Sequence, residues 1–301
     1  VVPVRDARGS DDAAQIADRL NAEAVELYHQ GRYEEALPLV QYALEIREQI
    51  LGPEHPDTAT NLDNLATIHA AMGAYDQALP AYQRALEIRE QALGSDHPDT
   101  ATSLNNLAWL HTAMGSYSRA LPLYLRALEI SEQVLGPDHP HTAGSLNNLA
   151  FLYKALGSYS QALPLYERAL EICERVLGPD HPHRATSLNN LAALHVSIGS
   201  HDQALPLYER ALEIRKQVLG PEHPDVAASL NNLAALHDSM GSSDEAQQLY
   251  QQALAIREHI LGPEHLATAN SLNNLAALYV SMGSGRHALP LCTRRLYIAV
   301  K

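Results

Sequence analysis

The chain has 301 residues, 46% of them hydrophobic and only 5% aromatic, a composition that supports a core of Leu, Ala and Ile and excludes disorder. Its 35 acidic and 21 basic residues give a net charge of −14, which argues against nucleic acid and against an anionic membrane surface, because both are bound through Lys and Arg. No run approaches the roughly 18 apolar residues of a membrane span, and Val1 to Asp12 lack the basic-then-apolar layout of a signal peptide.

Glycines punctuate the chain at a period of 42 residues: Gly31, Gly73, Gly115, Gly157, Gly199, Gly241 and Gly283, with a second set from Gly52 to Gly262. A fixed period of this size predicts stacked repeat units, each contacting its neighbours, and an extended binding surface in place of one closed core. Residues 1–10 read as a flexible segment and 11–301 as a single array. The repeats fall at about 11–52, 53–94, 95–136, 137–178, 179–220, 221–262 and 263–301. The first pair, Asp11 to Leu51, is degenerate and reads as a cap on that end.

The five middle repeats run from Thr58 to Leu261, and the stretch from Pro140 to Gly178 serves as their type. Thr142 to Leu156 places Leu146, Leu149, Ala150, Leu152 and Tyr153 at helical spacing, and Gly157-Ser158 breaks it. Tyr159 to Leu177 carries a second stripe through Ala162, Leu163, Tyr166, Ala169, Leu170 and Ile172. Gly178 then ends the helix, and Pro182 suits the first turn of the next. Pro164 and its equivalents lie near the second helix's start, where a slight bend is expected. In the last repeat, Thr268 to Lys301, Cys292 replaces the Tyr and Arg295 the packed Ala, so this end packs differently or continues.

The run from Leu146 to Leu170, LNNLAxLY then Gly-x-Tyr then Ala, Tyr and Ala-Leu, resembles the tetratricopeptide repeat. With the tail ALEIxExVLGPxHPDTAxSLNNLA it is similar to the 42-residue form of kinesin light chains, also familiar in bacterial, notably cyanobacterial, arrays. The resemblance implies an all-α, right-handed α-solenoid of about seven antiparallel helix-turn-helix repeats, with first helices lining a concave face. It implies a protein or peptide partner held in that groove. A self-assembling module joined through its terminal repeats, and the sensor arm of a larger signalling protein, are the competing readings.

Candidate groove residues recur in register. The first Asn of each Asn-Asn pair forms a ladder of Asp63, Asn105, Asn147, Asn189, Asn231 and Asn273; in the family such an amide commonly pairs with a bound backbone. Duplication alone would also copy it. Four residues on stand Thr67, Trp109, Phe151, Ala193, Ala235 and Ala277. Trp109 and Phe151 are the sole Trp and the sole Phe, in adjacent repeats, and read either as an anchoring pair or as core filling. Three residues further, Thr112 and Lys154 continue the face, and Lys154 adds a positive group suited to an acidic ligand.

The loop histidines His55, His97, His139, His181, His223 and His265 are too far apart to share one metal ion and read as loop and helix-start residues, so no metal is expected. Cys173 and Cys292 lie too many repeats apart to pair, which fits a reducing, cytoplasmic setting. Cys173 stands where other repeats carry Arg47, Arg89, Ser131 or Arg215 and reads as a surface substitution. No phosphate loop and no His-Glu-x-x-His occurs, so neither catalysis nor a cofactor is expected.

Overall fold

The computed structural model describes residues 7–300, with side chains from 12 to 298. It divides into two compact units, Val1–Leu156 and Gly157–Lys301. Residues 1–6 of the segment expected to be flexible lie outside the described residues, and its remainder belongs to the first helix.

Unit 1 holds α1 (Ala7–His29), α2 (Tyr33–Ile50), α3 (Pro56–Ala71), α4 (Tyr75–Ala92), α5 (Pro98–Ala113), α6 (Tyr117–Ile130) and α7 (Pro140–Ala155). Unit 2 holds α8 (Tyr159–Leu177), α9 (Pro182–Ser197), α10 (His201–Leu219), α11 (Pro224–Ser239), α12 (Ser243–Ile260), α13 (Leu266–Ser281) and α14 (Gly285–Val300). The division falls between the two helices of the fourth pair. The fold is all-α, built of helix-turn-helix repeats in solenoid fashion, with no strand among the described residues.

Within each unit the helices pack as pairs, and each second helix also packs on the next first helix. The first helices approach one another closely, α1 with α3, α3 with α5 and α5 with α7, whereas the backbones of neighbouring second helices stay further apart among the described residues. The odd-numbered helices therefore form the inner row of each unit. Alanines permit this close approach: Ala66, Ala108, Ala78, Ala120 and Ala85 are fully buried. Around Tyr82, for example, Leu62, Ile88, Leu107 and Leu110 complete a core drawn from α3, α4 and α5. Because the second helix buries its apolar stripe against two first helices, no repeat completes its core alone.

Chain reversals follow the glycine sets. Gly157 and Gly178 have φ of 71° and 88°, the left-handed region in which a side chain would be strained. After the second glycine the loop histidine caps the next helix: Nδ1 of His55, His97, His139, His181, His223 and His265 accepts from the backbone N–H two residues on, at 3.0–3.2 Å. Prolines at the first helical position need no acceptor there. Thr58, Thr100, Thr142 and Thr268 close the same loop by donating to the glycine carbonyl at 2.8–2.9 Å. His181→Ala should lower stability by about 1 kcal/mol, while His181→Asp, another acceptor, should restore most of it; urea unfolding followed by circular dichroism measures both.

One column corrects the sequence reading. Cys173 is buried, its Sγ 3.7 Å from Ser187 Oγ. The column faces inward because the second helix presents it to the next first helix. Arg89, Arg215 and Arg257 reach across there to Ser103, Ser229 and Ser271 at 2.6–2.7 Å. Where Ser131 replaces the arginine, α6 gives way to a π-helical turn over Ser131–Leu135, and Ser131 Oγ comes within 3.2 Å of Ser145 Oγ.

Candidate functional site

The inner face of unit 1 carries the candidate anchoring pair. Trp109 on α5 is 41% exposed and Phe151 on α7 is 43% exposed, at the same repeat position of neighbouring inner helices. An apolar ring left this open contributes little to the core. Their positions are fixed from below: Leu107, Ala108 and Leu110 on α5, and Leu149, Ala150 and Leu152 on α7, are buried and leave the intervening residue outward.

Lys154 lies one helical turn beyond Phe151 and is half-buried. Its ammonium has no carboxylate within ion-pair distance among the described residues. Burial holds it below the usual lysine range. Lys154, Lys216 and Lys301 are the lysines of a chain whose net charge is −14, so an uncompensated ammonium beside an open aromatic ring is unusual for this molecule.

The Asn ladder is engaged between helices. Asn105 is half-buried and donates to Ser145 Oγ on the next inner helix at 3.0 Å. Asn147 is buried. In unit 2, Asn231 is buried and donates to Ala227 O at 3.0 Å and Ser271 Oγ at 3.2 Å. Asn189 accepts from Asn232 Nδ2 at 2.8 Å, and Asn273 is exposed. The rung extends one repeat further back than the sequence reading placed it, since Asn64 donates to Asn21 Oδ1 at 2.9 Å. Thr112 is corrected: it is buried, with Oγ1 donating to Ala108 O at 2.8 Å, because the α5 surface at that level is covered by α6. Unit 1 thus gathers Asn105, Trp109, Asn147, Phe151 and Lys154, while Asn189, Asn231 and Asn273 stand in unit 2.

Sequence reading missed a cavity of about 200 Å³ between α1 and α3, lined by Val25, Tyr28, His29, Asn64, Thr67 and Ile68. Val25 and Thr67 occupy the repeat position of Trp109 and Phe151. The signal was the small side chain in that column, legible once the degenerate first repeat is aligned. Among the described residues no three His, Cys, Asp or Glu side chains form a metal-binding group, no helix is long and apolar enough to cross a membrane, and both cysteines are free.

The tetratricopeptide repeat pattern matches six overlapping stretches, 20–91, 63–133, 111–170, 142–217, 194–259 and 239–294. No curated protein matches the chain. Among solved structures, it is similar to BtubC (BKLC) from P. vanneervenii at 26% identity, covering 75% of this chain and 91% of that one, with a TM-score of 0.61. A putative kinesin light chain of nearly identical TPR-like repeats from Podosopora anserina is 30% identical over 68% of this chain and 98% of its own, with a TM-score of 0.54. A Rap protein complexed with Competence and Sporulation Factor shares the fold at 16% identity and a TM-score of 0.70, covering 93% of this chain and 73% of that one.

Proposed function

The chain belongs to the tetratricopeptide repeat family, in its kinesin-light-chain-like form, and from that premise we propose that unit 1 binds an extended peptide segment across its inner face. The observation that carries this reading is the open Trp109–Phe151 pair next to the uncompensated Lys154 ammonium. The two rings would take one large apolar side chain, and the ammonium a neighbouring carboxylate. Asn105 and Asn147, already ordered between the helices, would border the ligand's main chain. The role is non-catalytic, as a scaffold or adaptor. Two free thiols fit a reducing, cytoplasmic setting.

Lone apolar residues on a surface are ordinary, but interface anchors are enriched in Trp and gain most from a desolvated setting. The partner chemistry follows: an apolar residue within one or two positions of Asp or Glu.

Trp109 supplies the reporter. Peptide pools of that composition should shift its emission saturably. Phe151→Ala and Lys154→Glu should each weaken binding by about 2 kcal/mol, roughly 30-fold, with helicity unchanged. Equal affinity for native and variant proteins would remove the site assignment, and an affinity blind to the peptide's acid would remove the role of Lys154.

A further inference from the structure

The column of arginines on the second helices is compensated in unit 1 and open in unit 2. On α2, Arg47 pairs directly with Asp18 and reaches Asp57 at 3.4 Å; on α4, Arg89 pairs directly with Asp63. On α10 and α12, Arg215 and Arg257 have no carboxylate within ion-pair distance among the described residues. Repeat-equivalent substitutions explain the difference. Arg257 meets Ala228 and Ala267 where Arg47 meets Asp18 and Asp57, and Asn231 where Arg89 meets Asp63. Arg215 meets Thr186 and Asn189, and its one acidic neighbour, Asp225, keeps its carboxylate beyond ion-pair distance. Burial holds both guanidinium groups below the usual arginine range, with Asp225 opposing the shift at Arg215.

Only part of each guanidinium is engaged. Nη1 of Arg215 donates to Ser229 Oγ at 2.7 Å and to Asp225 O at 3.5 Å, and Nη1 of Arg257 to Ser271 Oγ at 2.7 Å and to Ala267 O at 3.0 Å. Nε and Nη2 of both residues have no hydrogen-bond partner and are not sealed from solvent. That edge is the fork on which arginine grips a carboxylate bidentately. Arg32 shows it in this chain, with Nε and Nη2 on the two oxygens of Glu35 at 2.7 and 2.6 Å. In unit 1, Nη2 of Arg47 points to Asp18 and Nη2 of Arg89 to Thr60. Their unit 2 equivalents, Thr186 and Ala228, lie two helical turns before Ala193 and Ala235, on the inner stripe that carries Trp109 and Phe151 in unit 1.

We propose that the inner face of unit 2 binds an acidic peptide segment, with one carboxylate on the Arg257 fork and a second on the Arg215 fork. The ligand supplies from outside the carboxylate that Asp18 supplies to Arg47 from within. Neighbouring inner helices pack about 10 Å apart. A polyproline-II segment returns to the same face every three residues, about 9 Å further on. The ligand therefore carries Asp or Glu at positions i and i+3. The site is independent of the peptide-binding reading of unit 1, since it uses none of those residues.

Fluorescence anisotropy of a labelled peptide with glutamate at every third position among serines tests this on the full chain. The probe has no apolar residue to engage Trp109 or Phe151. It should bind saturably, and its glutamine counterpart about tenfold more weakly or less. Ala228→Asp places a carboxylate where Asp18 stands relative to Arg47, so it should occupy the Arg257 fork and weaken binding by about tenfold while removing no hydrogen bond of the fold. Arg257→Lys keeps the charge, loses the fork and should also weaken binding. Circular dichroism confirms that each variant is folded. Absence of saturable binding, equal affinity for the glutamate and glutamine peptides, or binding that survives Ala228→Asp would overturn the proposal. So would inorganic phosphate that displaces the peptide at equal concentration, since the spacing of the two forks would then contribute nothing.

Discussion

Arg89→Met should cost unit 1 about 3–5 kcal/mol, because it leaves the Asp63 carboxylate buried without its cation. Both side chains are nearly inaccessible and form a direct ion pair. The guanidinium also donates to Ser103 Oγ at 2.6 Å and Thr60 Oγ1 at 3.2 Å, tying α4 to α3 and α5. Asp63→Asn/Arg89→Met, which installs the asparagine that later repeats carry, should recover to within about 1 kcal/mol of the native chain. Burial drives the Asp63 carboxyl above the usual carboxylate range, and Arg89 is the chief opposing influence. In the single variant that opposition is gone. A carboxyl whose folded value lies above its unfolded value holds its proton more tightly when folded. The deficit should therefore be smallest in acid and grow as pH rises through the ordinary carboxylate range toward the raised folded value. Urea unfolding at several pH values measures it; a deficit that deepens in acid would contradict the account.

The second large effect belongs to unit 2. Tyr208 packs among Ala192, Leu212, Leu230, Leu233 and Leu236 and is 5% exposed. Burial pushes its hydroxyl up to about 12. Tyr208→Ala should cost about 3–5 kcal/mol, the usual penalty for emptying an aromatic site in a core. Tyr208→Phe keeps the volume and should cost far less. In a stack of nearest-neighbour contacts the loss should fall first on α9 to α12, as hydrogen exchange would show by faster amide exchange there than in α3 to α6. The last repeat shows the column weakened already, since Cys292 stands in place of the tyrosine and is only half-buried.

What the sequence made legible was set by local physics. The type repeat reads as helices from Thr142 to Leu156 and from Tyr159 to Leu177, and the structure has Pro140–Ala155 and Tyr159–Leu177. Gly, Pro and the apolar period act within a few residues, so a single chain displays them. What it hid depends on how neighbouring helices meet. Thr112 and Cys173 look like exposed variable positions in sequence and are buried. Arg84 to Glu48 at 2.7 Å and Arg126 to Glu90 at 2.5 Å join consecutive second helices, a spacing that no single-helix rule anticipates. The exposure of Trp109 and Phe151 decides between the two readings the sequence leaves open, and the alanines at equivalent positions agree with it, a comparison only a repeat offers.

The histidine caps carry a spectroscopic consequence. An imidazole whose Nδ1 accepts a backbone N–H holds its own proton on Nε2, so the six capping rings share one tautomer wherever the helix start is intact. Nitrogen chemical shifts distinguish the tautomers. Near-identical repeats crowd most of a nuclear magnetic resonance spectrum, but these rings differ in their neighbours: Asp57, Asp99 and Asp225 beside three of them, His141 and His183 beside two. The six boundaries from the second pair onward thus fall into three kinds of resonance, and tautomer mixing in one kind would show which joints along the array open first.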